Sequence, residues 1–235
     1  MQQQDLLPRT VTLSTGQVMP TCGLGTFGLK DAEKHPQVIY DAIVQCGYRL
    51  IDAATVYSNE ELVGQAINRA ITEGSVRRED LFVVTKLWIN DFHDPETALR
   101  TSLGKLQIEY IDCYLIHWPA GFWAADPANK LPIHVIWRKL EDLVDAGLIK
   151  TLGVSNFNLQ MLADLLCYAR HKPSVNEIEL NPSITQPEML RFMASVNVVP
   201  IAYTPVSRIG QEEKRHLWQN EAYDAICQKY GKSQA

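Results

Sequence analysis

Short apolar runs alternate with amphipathic stretches along almost the whole chain. The segment T-V-T-L-S-T-G-Q-V-M-P (10–20) alternates apolar and polar residues around a turn at Ser14–Gly16, which predicts a β-hairpin. Beyond it, seven short apolar runs predict strands near 22–25, 49–53, 81–85, 111–116, 149–154, 174–178 and 198–203. Helical periodicity predicts helices near 36–46, 59–73, 95–106, 133–146, 158–170, 186–196 and 219–230. Asp94-Pro95-Glu96 marks one helix start, with a capping acid followed by proline in the first turn. Strands and helices alternating with crossovers of this length form a parallel sheet. No Pro/Gly-rich linker separates the units, so residues 1–235 are expected to make a single domain.

The chemistry sits where these strands end. R-L-I-D-A-A-T-V-Y-S-N-E (49–60), L-F-V-V-T-K-L-W (81–88) and Y-L-I-H-W-P (114–119) deliver Asp52, Tyr57, Lys86 and His117 at or just beyond a strand terminus. Polar residues at the carboxyl ends of successive strands are how an α/β barrel assembles an active site. A carboxylate, a phenol, an ammonium and an imidazole together can deliver a proton. Lys86 would be expensive to bury alone, and Asp52 at another strand end could neutralise it.

Composition narrows the classes. A net charge of −5 argues against nucleic acid or an anionic membrane as main partner. No run approaches the ~18 apolar residues of a membrane span, and M-Q-Q-Q-D-L-L-P-R lacks a signal-peptide core, so a cytoplasmic protein is expected. The five cysteines show no C-x-x-C pair and no His at zinc spacing, so no metal site is expected. Cys113 in an apolar strand and Cys46 at the end of an apolar helix face read as small core residues.

Competing readings attach to several motifs. G-L-G-T-F-G (23–28) matches the dinucleotide fingerprint, with Asp52 downstream, but a polar loop follows where the fingerprint needs a helix. The glycines are better explained by close backbone approach at a strand end. His117 between Ile116 and Trp118 could be a hydrogen-bonded core residue. Ser155 or Asn156 could simply cap the helix beginning near 158. Glu177 falls at the sixth strand end and Tyr203 at the seventh, where its ring could stack on a flat partner. Phe27, Trp88, Trp118, Phe122 and Trp123 fall in loops after strands and suit the lining of an apolar cavity.

D-A-A-T-V-Y-S-N-E, L-I-H-W-P, G-V-S-N-F and V-N-E-I-E-L-N-P together closely resemble blocks of the aldo-keto reductases, from about residue 10 to the C-terminus. The resemblance implies a (β/α)8 barrel of TIM type with an N-terminal hairpin, holding NADP(H) without a Rossmann domain. It implies reduction of aldehydes or ketones to alcohols, with Tyr57 as general acid, Lys86 its partner, Asp52 holding Lys86 and His117 orienting the carbonyl. Ser155, Asn156 and Glu177 would meet the nicotinamide carboxamide, Tyr203 would stack on its ring, and Phe27, Trp88, Trp118 and Phe122 would form the substrate pocket. Lys86 would stabilise phenolate and make the Tyr57 proton easier to give.

Two departures accompany the resemblance. Glu177 stands where the family usually has glutamine. Only seven strand–helix units can be read, so the eighth, with the family's phosphate-gripping basic segment, is expected to be missing. An open barrel edge would favour an oligomer or a protein partner, and a catalytically silent barrel serving a structural role is the alternative function.

Overall fold

The computed structural model describes residues 9–206 and 221–232. Thr10–Thr12 (β1) and Val18–Pro20 (β2) pair antiparallel as the expected hairpin. The seven expected strands follow as Gly23–Gly25 (β3), Leu50–Asp52 (β4), Phe82–Leu87 (β5), Ile111–Ile116 (β6), Ile149–Ser155 (β7), Val175–Glu179 (β8) and Val199–Tyr203 (β9). They form one parallel sheet in chain order, β3 through β9. The helices are His35–Val44 (α1), Glu60–Thr72 (α2), Pro95–Leu106 (α3), Ile133–Asp145 (α4), Leu159–Tyr168 (α5), Pro187–Ser195 (α6) and Glu221–Tyr230 (α7). Residues 219 and 220 of the last expected helix lie outside the described residues. Asp94 caps α3 as expected, accepting from the Thr97 amide.

The sheet separates two apolar layers. Outside it, Ile39, Ile51, Val63, Leu99 and Trp137 join strands to helices. Inside, Leu50, Phe82, Val84, Cys113, Leu115 and Val175 pack with Leu13 and Met19 of the hairpin. Every residue of β5 and β6 is buried, as parallel strands covered on both faces require. The hairpin turn is tied to this end by Ser14 Oγ to Ser174 Oγ, 2.8 Å, and Thr15 Oγ1 to Thr151 Oγ1, 3.0 Å. It therefore closes the amino-terminal end of the sheet and leaves the carboxyl end for the site.

The period of two then dictates what that end presents. Leu50 leads to Asp52, Val84 to Lys86, Leu115 to His117 and Val175 to Glu177, each pair two residues apart on one face. Three expectations need correction here. β5 runs through Leu87, so Lys86 lies inside the strand, and Glu177 lies within β8 rather than at its end. Inward side chains near a strand end can be polar when they find one another across the sheet. Cys113 is buried as expected, but Cys46 is exposed, because α1 has ended at Val44.

Helix packing turns on one glycine. A Cβ built on Gly64 of α2 would stand 2.3 Å from the Lys105 carbonyl oxygen and 2.7 Å from the Leu106 carbonyl carbon at the end of α3. In an open helix, alanine gains about 1 kcal/mol over glycine. Here backbone must move to admit the methyl, and overpacking of this kind costs about 1–3 kcal/mol. Gly64→Ala is expected to lower stability by that amount, read as a lower denaturant midpoint at unchanged slope; equal or higher stability would remove the clash from consideration.

Candidate active site

Lys86 is the hub. Its side chain is fully buried, and its Nζ donates to Asp52 Oδ1 at 2.5 Å, the Ala53 carbonyl at 3.1 Å and Tyr57 Oη at 3.3 Å. Tyr57 reaches it from a 3-10 turn over Thr55–Tyr57 that follows β4 directly. Thr55 pins that turn by donating to the Lys86 carbonyl, 3.0 Å. Asn59, also buried, donates to the carbonyls of Thr26 and Leu29 and holds the loop after β3 against the start of α2. That loop is polar, with no helix until His35, so the glycines of 23–28 do not form a dinucleotide fingerprint.

Burial pulls the Lys86 ammonium toward neutrality, but Asp52, Glu177 and Tyr57 together outweigh it and hold the group above the ordinary lysine value. Burial raises the Asp52 carboxyl and Lys86 draws it back. At 2.5 Å the two form an ion pair. The Tyr57 phenol is pushed up to about 12, by burial first. Lys86 lowers it as expected, while Asp52 and Glu177 raise it. The ammonium therefore limits the rise in the free protein instead of making Tyr57 a stronger acid than free tyrosine. Burial and the Lys86 charge push the His117 imidazole down to about 3, so it is neutral. Among the described residues, buried His117 Nδ1 has no hydrogen-bond partner.

The rings gather around this hub. Phe27 meets Tyr57 at 5.1 Å, Tyr57 meets His117 at 5.7 Å and Trp88 meets His117 at 5.2 Å, all edge-to-face. Phe27 and Phe122 are 71% and 78% exposed, so both offer apolar surface to solvent. Trp118 is also exposed, and Phe122 carries Lys130 over its ring at 5.3 Å. The structure thus joins Phe27 and Trp88 to the centre, and leaves Trp118 and Phe122 on the loop after β6 without a ring contact to it among the described residues.

Ser155, Asn156 and Tyr203 form a second cluster. Asn156, at φ 61°, donates through Nδ2 to the His117 carbonyl and Ser155 Oγ, and its Oδ1 accepts from Tyr203 Oη at 2.9 Å. Ser155 Oγ donates to the Glu177 carbonyl. Neither residue caps α5. Asn158 does, accepting from the Met161 amide at 2.9 Å. Glu177 turns inward: its Oε2 lies 3.3 Å from Lys86 Nζ. That contact is an ion pair by distance, though no hydrogen bond of good geometry reaches the oxygen among the described residues. Sequence reading missed Thr55, Asn59 and the Glu177–Lys86 pair. An acid two residues beyond Val175 on an inward face was the available signal for the last.

Residues 21–229 match the model of the Aldo/keto reductase family. The chain is 42% identical to aldo-keto reductase family 1 member A1-A of Danio rerio, over 84% of this chain and 64% of that relative. It is 39% identical to the NAD(P)H-dependent D-xylose reductase I,II of Candida tropicalis, over 96% of this chain and 78% of that one. A solved Bombyx mori aldo-keto reductase in complex with NADP superposes with a TM-score of 0.86 at 36% identity, covering 97% of this chain and 78% of that one. The parallel sheet in chain order and its N-terminal hairpin are the architecture of that neighbour's (β/α)8 barrel. By sequence along most of its length, and by fold, the chain belongs to the aldo/keto reductase family.

Proposed function

We propose that this protein reduces aldehydes or ketones to alcohols with NADPH, Tyr57 giving the proton. The observation that carries the reading is the fully buried Lys86, held by Asp52 and in reach of the Tyr57 hydroxyl, beside a neutral His117. The residues fit a nicotinamide. Glu177 Oε2 is a buried acceptor with no well-formed bond among the described residues, suited to an amide N–H. Tyr203 is a half-buried ring held by its hydroxyl to Asn156, suited to stacking on a flat heterocycle. Ser155 and Asn156 spend their polar atoms on each other and on backbone, so they would meet a carboxamide only by exchanging those bonds. When bound, the reduced nicotinamide supplies hydride to the carbonyl carbon.

The chain's own groups manage the oxygen. Neutral His117 can donate to the carbonyl oxygen and favours the charge that builds there. Tyr57 Oη then passes its proton to that oxygen, and the phenolate left behind faces the Lys86 ammonium, which favours it. Asp52 holds that ammonium in place and charged. Phe27, Trp88, Trp118 and Phe122 give the substrate an apolar approach. Relatives named as reductases of xylose support a small carbonyl substrate. β3 and β9 are the outer strands of the sheet among the described residues, and a sheet edge favours pairing with a second copy or a partner, readable as oligomer size in solution.

The test uses the five tryptophans, of which Trp88 touches His117. Titrating NADPH is expected to quench fluorescence saturably, and adding a small aldehyde to consume the cofactor. No saturable quenching and no turnover across a panel of aldehydes would favour the silent-barrel alternative. No helix among the described residues is long and apolar enough to cross a membrane.

A further inference from the structure

One ammonium here serves two carboxylates. Lys86 Nζ lies 2.5 Å from Asp52 Oδ1 and 3.3 Å from Glu177 Oε2, and the Lys86 and Glu177 side chains are both nearly sealed from solvent, at 0% and 4% exposure. Asp52 alone balances the lysine. A charged Glu177 therefore leaves the cluster with one positive and two negative groups, and Tyr57 Oη is 3.3 Å from its centre. The ionisable groups facing Glu177 are Lys86 from β5, Asp52 from β4, Tyr57 from the turn after β4 and Cys113 from β6. His117, after β6, feels the same Lys86 charge. The register neighbours of Glu177 on β7 and β9 are Ser155 and Ile201, neither of them charged. Nothing else among these facing groups supplies a second positive charge.

We propose that Glu177 is a positioning residue acting through Lys86: its protonation sets how firmly Tyr57 holds its proton, so that reduction is faster with Glu177 protonated and slower once it ionises. The proposal rests on the reductase reading for its consequence, not for its geometry. Burial raises the Glu177 carboxyl to about 7, with Asp52 adding and Lys86 opposing. Its charge thus changes near neutral pH. A carboxylate beside the phenol disfavours phenolate, so the phenol becomes a weaker acid as pH rises through the Glu177 transition. Because the folded value lies above the ordinary 4.5, Glu177 also binds a proton more tightly folded than unfolded. Stability from this group is complete below about 4.5 and is lost as pH rises toward about 7.

The test compares the wild type with Glu177→Gln, which keeps shape and removes the charge. Tyrosinate absorbance after rapid alkaline pH jumps, read before unfolding and with Tyr57→Phe subtracted in each background, isolates Tyr57 without cofactor or turnover. In Glu177→Gln the Tyr57 transition is expected about one pH unit lower, a tenfold change in acidity. The kcat/KM for reduction should fall through neutral pH in the wild type and stay flat in the variant. The share of a melting-temperature decline between acid and neutral pH that comes from Glu177 should likewise disappear, which a purely steric role would not produce. Tyr57 titrating at the same pH in both proteins overturns the proposal. A shifted titration without turnover in either protein upholds the coupling of Glu177 to Tyr57 and overturns the reductase reading instead.

Discussion

Tyr57→Phe is expected to reduce carbonyl turnover by about 10²–10⁴, the usual contribution of a positioned general acid. Fold and NADPH binding should survive almost unchanged. The ring's edge-to-face contacts with Phe27 and His117 do not involve the hydroxyl, and phenylalanine keeps them. Lys86 loses only its longest bond, 3.3 Å, and retains Asp52 and the Ala53 carbonyl. Turnover and NADPH affinity measured on the same preparation separate the two effects. A variant that turns over like the wild type would take Tyr57 out of the proton-transfer step.

The second large effect belongs to Lys86→Met. Removing one member of a buried ion pair costs about 3–5 kcal/mol, because the partner's charge is left in a low-dielectric site. Here two carboxylates are stranded, Asp52 and Glu177, and their mutual repulsion pushes both folded values up further. Acids whose folded value lies above the unfolded one stabilise the fold below the unfolded value, near 4, and lose that contribution as pH rises. The variant should therefore approach wild-type stability in acid and fall well below it at neutral and alkaline pH. Turnover should be lost as well, since no cation remains to favour the phenolate. Denaturant midpoints across this range give the answer: a deficit that does not grow with pH would mean the carboxylates do not depend on Lys86.

Much of this was legible in the sequence, for a physical reason. Alternating apolar runs and helical periodicity report burial, and burial is what the barrel's layers impose; β6 falls on Ile111–Ile116 as read. Asp52, Lys86 and His117 were readable as site residues because a polar group closing an apolar run is costly unless it meets partners. What escaped was tertiary. Lys86 looked like the residue after a strand because a lysine seems an unlikely interior position, and only the inward placement of Asp52 and Glu177 on other strands makes it tolerable. Asn158, not Ser155 or Asn156, caps α5, since Asn156 is turned into the left-handed region and spent on the strand ends. The acidity of Tyr57 escaped for the same reason. Proximity to lysine is local and readable, whereas burial and a second carboxylate from β8 are not.

Cys113, sealed on β6 beneath the lysine, carries a consequence for oxidation chemistry. Thiols react with peroxides and disulfides as thiolates. Burial raises the Cys113 thiol well above its ordinary value, and Glu177, Asp112 and Asp52 push the same way against Lys86 alone. The same excess of carboxylates that stiffens the hold of Tyr57 on its proton thus keeps the sulfur beneath it protonated. Oxidants meet Cys22, Cys46 and Cys167 at the surface first, and Cys113 stays out of their reach beside the Lys86 cluster.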